Sequence, residues 1–109
     1  MTYKEIATMI SSIGLPYAYY QFPDGTEQAP PFVVFFFTDT DDVFADDSNY
    51  QRIATLNIEL YTDQKDFERE SALEEILLNN NLTYYKEENY IDSEKMWQIA
   101  YEMEVMING

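Results

Sequence analysis

At 109 residues the chain has room for one domain and one core, and with 46% apolar residues it can fill that core without a disulfide or metal staple. Six basic residues face 21 acidic ones, for a net charge of −15. Such a surface repels phosphates over a Debye length of roughly 8 Å, which argues against nucleic acid or an anionic membrane as a direct partner.

Three glycines and four prolines are too few for a low-complexity chain, so a folded state is expected. Cysteine and histidine are both absent, which excludes disulfides, thiolate zinc sites and Ser–His or Cys–His nucleophiles. The lack of cysteine fits a reducing cytoplasm. No segment pairs a basic region with a signal-length apolar stretch, and no apolar run nears the roughly 18 residues of a membrane span.

The first element is a helix over residues 3–13. Thr2 to Glu5 reads as a capping box, and Ile6, Met9, Ile10 and Ile13 form one apolar stripe. Gly14 suits the position after the helix, and Pro16 prevents its continuation. Residues 17–22 read as a short aromatic strand, followed by Pro23-Asp24-Gly25 turn chemistry and a loop to Pro31.

Residues 32–37 (FVVFFF) form an apolar strand without alternation, the pattern of a strand covered on both faces. Residues 39–49 read as an acidic loop. In residues 50–63, Ala54, Leu56, Ile58 and Leu60 alternate with Thr55, Asn57, Glu59 and Tyr61, which predicts a long strand with one buried face. Its length suggests an arm projecting beyond the sheet.

A second helix starts at a cap on Asp66, with Asp63 as the alternative. Ala72, Leu73, Ile76 and Leu77 supply its inner stripe, and Glu68, Glu70, Glu74 and Glu75 are expected mostly outside. Asn79-Asn80-Asn81 ends it. Residues 82–90 and 96–107 are the last two strands, joined by a turn at Asp92-Ser93-Glu94. The order α-β-β-β-α-β-β predicts one α+β domain over residues 1–109, a mainly antiparallel sheet with both helices on one face.

No phosphate-binding glycine loop is present. The acidic run Asp39-Thr40-Asp41-Asp42 with Asp46-Asp47 fails the EF-hand template, because Val43 stands at its fifth position and Tyr50 at its twelfth. A solvated loop is the expected reading, with no cofactor, no metal and no enzymatic activity. The informative excess is aromatic: ten tyrosines, seven phenylalanines and one tryptophan. Tyrosine joins an apolar body to a polar tip and is enriched at interfaces. Tyr19, Tyr20, Phe35, Phe44, Tyr50, Tyr61, Tyr84 and Tyr85 are the candidate interface residues.

The blocks IELYTDQKD (58–66) and YIDSEKMWQIAYE (90–102), with the opening MTYKEI and Gly14-Leu15-Pro16, resemble small proteins of tailed phages and prophages of Gram-positive bacteria. Those proteins are encoded in the head–tail morphogenesis region. The element order also resembles the lambda-type tail terminator, or tail-completion, fold. The resemblance implies a homo-oligomer, usually a hexameric ring, that caps the tail tube and presents a surface to the head connector. It implies a place in the virion tail or neck after assembly in the bacterial cytoplasm. It carries no catalytic residue onto this chain. A head-closure or head–tail joining role is the neighbouring reading. An acidic inhibitor that mimics DNA and a host protein-binding domain are the alternatives. The loops at 23–31 and 39–49 are expected to order on assembly.

Overall fold

The computed structural model describes every residue except Asp24, Thr26, Glu27, residues 45–49 and Gly109, and gives no side-chain detail at 41–44, 50 and 51. In chain order the elements are α1 (Tyr3–Ser11), β1 (Tyr17–Tyr19), β2 (Phe32–Phe44), β3 (Tyr50–Thr62), α2 (Phe67–Asn79), β4 (Tyr85–Ile91) and β5 (Met96–Asn108). This is the predicted α-β-β-β-α-β-β order.

The five strands form one sheet in the order β1-β2-β3-β5-β4. The β2–β3, β3–β5 and β4–β5 pairs are antiparallel. β1 runs parallel to β2, with Tyr17, Ala18 and Tyr19 opposite Val33, Val34 and Phe35. β2, β3 and β5 each have 13 residues. At about 3.3 Å per residue they reach about 43 Å, which sets the long axis of a molecule measuring 51 × 30 × 22 Å.

Alternation decides which face is covered. Ala54, Leu56, Ile58 and Leu60 of β3 and Ile99, Tyr101, Met103, Val105 and Ile107 of β5 are all buried on one face. Ile6, Met9 and Ile10 of α1 and Leu73 and Leu77 of α2 join the same cluster, so both helices cover that face. Each buried aliphatic side chain contributes roughly 2 kcal/mol, and an isolated nine-residue helix is marginal in water, so docking is what makes α1 stable. The capping box forms as predicted: Thr2 accepts from the Glu5 N–H, and Glu5 accepts from the Thr2 N–H. Those bonds hold the Glu5 carboxyl below its ordinary range.

Four expectations change. The stretch at 39–44 is not loop: β2 continues through it, paired with β3 from Thr40–Ala54 to Phe44–Tyr50 after a register shift beyond Phe37. Pairing with β3 holds one edge of the backbone, and Thr38, Asp39 and Thr40 are exposed, so polar side chains stay in water. The rest of the predicted 39–49 loop, like part of 23–31, lies outside the described residues. β1 stops at Tyr19, because Tyr20 takes a positive φ of 69°. β4 begins at Tyr85, while Leu82 is buried in the loop before it. Glu70 faces inward and is 2% exposed.

Candidate interaction surface

The helix-free face of the sheet is amphipathic from side to side. On the β1–β2 side, the second apolar face of β2 presents Phe32, Val34 and Phe36. Tyr20 meets Phe36 edge-on at 5.6 Å, and Phe22 meets Phe32 edge-on at 5.4 Å. Tyr61 of β3 stacks on Phe32 at 4.8 Å. Neighbouring rings thus shield β2 on the side the helices leave open, and Val34 is only 6% exposed.

A hydrogen-bond ladder crosses the middle. Asn89 donates to Gln98, Gln98 Nε2 donates to the Tyr61 hydroxyl at 2.9 Å, and that hydroxyl donates to Glu59 Oε1 at 2.8 Å. Burial, with the charge of Glu59 beside it, pushes the Tyr61 phenol up to about 12.

Beyond the ladder the face turns acidic. Strand register places Glu59, Glu87, Glu102 and Glu104 on it, with Glu59 and Glu87 on either side of Ala100. The small Ala100 side chain leaves a shallow depression of about 520 Å³ walled by Asn57, Glu59, Tyr85, Glu87 and Glu102; Lys86 also borders it, with its ammonium turned to Glu70 and Glu74 on the helix side. None of the chain's six basic residues lies on this face. Lys4 is in α1, Arg69 in α2, Lys65 before α2 and Lys95 in the β4–β5 turn. Arg52 shares its face with Ile107, and Lys86 shares its face with Tyr101.

The helix side holds an ionic network around one buried carboxylate, Glu70, that the sequence did not reveal. Glu70 accepts from Lys65 at 2.7 Å and from Lys86 at 2.9 Å. Lys86 also reaches Glu74 at 2.7 Å, and Glu74 accepts from the Tyr101 hydroxyl at 2.7 Å. Lys65 bonds Glu88 of β4 as well. Burial disfavours the Lys86 ammonium, but its bonds to Glu74 and Glu70 outweigh that and raise its pKa. Burial pushes Glu74 up, and its bonds from Lys86 and Tyr101 bring it below the ordinary value. Burial and then Glu74 hold the Tyr101 phenol protonated well above its usual range. Among the described residues no group of three or more acidic side chains has metal-binding geometry.

The candidate interface residues separate into classes. Tyr85 is 83% exposed on the open face, opposite Glu102. Tyr20, 65% exposed, and Tyr61 also belong to that face. Tyr19 is exposed at the β1 edge, packed against Phe35 and Phe37 on the helix side. Tyr84 is half-buried against Tyr101, and burial, then the Glu74 charge, raises its pKa. Phe35 is a correction: it lies in the core, 8% exposed, because it has the parity of Val33 and faces the helices. The side chains of Phe44 and Tyr50 lie outside the described residues.

No protein-family model and no curated protein matches the chain. Among solved structures it is similar to a chain described as "Virion of native gene transfer agent (GTA) particle". The TM-score is 0.56, covering 94% of this chain and 86% of that one, at 15% identity. The likeness is one of fold.

Proposed function

We propose that the chain is a non-catalytic structural protein of a phage-like virion, a tail terminator or tail-completion protein. In this reading it closes the tail tube as a ring oligomer and meets the head connector. The supporting observation is the fold likeness to a virion chain over 94% of the sequence. The blocks at 58–66 and 90–102, which resemble phage morphogenesis proteins, point the same way. A ring needs two different, mutually complementary surfaces on each subunit. The β1 and β4 edges and the open face are the surfaces on offer, and a stable contact would bury about 1,200–2,000 Å².

Electron microscopy of particles from cells lacking the chain tests this. The expected result is tails of uncontrolled length and heads without tails. Tails of normal length joined efficiently to heads would refute the reading.

A further inference from the structure

We propose that the acidic half of the open sheet face, on β3, β5 and β4, docks a different protein through a lysine- and arginine-bearing segment. The inference deepens the virion reading and rests on it, because it supplies the chemistry of one partner.

Charge bookkeeping on the face is the first argument. Glu59 and Glu87 flank Ala100 from neighbouring strands, about 10 Å apart at normal strand spacing. Glu102 and Glu104 are two residues apart on one strand, about 7 Å. Those separations are close to the screening length of roughly 8 Å, so the carboxylates repel one another through solvent. No lysine or arginine of this chain lies on the face to offset that. A cationic partner relieves the repulsion and gains steered association.

Shape and exposure give the second argument. Tyr85 is 83% exposed, and its register partner is Glu102. A large aromatic ring beside a carboxylate offers an ammonium or guanidinium both a π face and a counter-charge. The depression over Ala100 gives such a side chain room between Glu59 and Glu87.

A second copy is the poorer occupant. Three of its six cations are already held: Lys65 and Lys86 by Glu70, Glu74 and Glu88, and Arg69 by Asp66; Lys4 and Lys95 lie apart, in α1 and the β4–β5 turn. Each copy also carries a net charge of −15.

The test places the photo-crosslinking residue p-benzoylphenylalanine at Asn89, which is exposed on this face, and at Glu68 on α2 as a control. Particles containing the substituted chain are purified and irradiated, and the joined peptides are identified by mass spectrometry. The expected Asn89 adduct is a lysine- or arginine-bearing peptide of another protein, absent from the Glu68 control. In the Glu87→Gln/Glu102→Gln/Glu104→Gln background its yield drops roughly tenfold, the scale expected from losing several interfacial charges. A control Glu68→Gln/Glu75→Gln background leaves the yield within about twofold, because those side chains are exposed on α2, across the sheet from this face. An adduct to a second copy, an adduct to an acidic segment, no adduct, or a yield indifferent to the three glutamates overturns the inference while the virion reading stands. Absence of the chain from purified particles overturns the virion reading, and the inference with it.

Discussion

The buried carboxylate of Glu70 in α2 holds Lys86 of β4 at 2.9 Å, so a helix and the edge strand of the sheet are tied through charge at the margin of the core. Lys65 holds the same carboxylate from the loop before α2. The arrangement predicts strong non-additivity. Lys65→Met or Lys86→Met alone leaves Glu70 one cation, at a cost of about 1 kcal/mol for a partly exposed lysine. The double variant strands a buried charge, which costs about 3–5 kcal/mol. Denaturant unfolding of the four proteins of this cycle measures the coupling, and simple additivity would refute the arrangement.

Glu74 sets an acid limit on the same network. Its folded pKa is lowered from 4.5, so its contribution to stability is present above that value and is lost as pH falls through the folded pKa. Wild type should exceed Glu74→Gln in stability at neutral pH, and the gap should shrink as the pH drops below 4.5. Unfolding midpoints of the two proteins across the acid range check this, and a gap independent of pH counts against it.

What was legible in the sequence was whatever local pattern controls. The Thr2–Glu5 capping box and the alternation along 54–60 and 99–107 each specify their structure within a few residues, and all three form as read. Features set by distant partners were not legible. Glu70 looks like any helical glutamate until Lys65 and Lys86 arrive from other elements. The aspartate-rich residues 39–44 look like loop until β3 pairs with them. Phe35 is an interface candidate in the sequence because both parities of residues 32–37 are apolar, and only the placement of α1 and α2 decides which one is core. The tyrosine excess was visible, but its division between the open face, the β1 edge and the helix side depends on register.

Tyr61 separates ring packing from hydroxyl bonding. Tyr61→Phe keeps the stack on Phe32 and removes the bonds to Glu59 and Gln98, so it should cost about 1 kcal/mol near neutral pH. The folded phenol titrates at about 12 against an ordinary 10.0. A raised folded pKa means the contribution is complete below pH 10.0 and fades as pH rises through about 12. The gap between wild type and Tyr61→Phe should therefore narrow over that window, as read by denaturant unfolding at pH 8 and in the alkaline range. A constant gap would show that the hydroxyl is not held as described.

Phe35 and Tyr85 give the sharpest contrast between core and docking surface. Both are aromatic, but Phe35 is 8% exposed against the helices and Tyr85 is 83% exposed on the open face. Phe35→Ala leaves a cavity beside Tyr19 and the core, and should cost about 3–4 kcal/mol. Tyr85→Ala opens no cavity and should change stability by less than about 0.5 kcal/mol. If the open face is where the partner sits, Tyr85→Ala nevertheless lowers incorporation of the chain into particles, whereas Phe35→Ala lowers incorporation only in proportion to its unfolded fraction. Thermal unfolding paired with quantitative immunoblotting of purified particles separates the two effects. Normal incorporation of Tyr85→Ala would remove the tyrosine from the docking surface and leave the carboxylates alone to account for it.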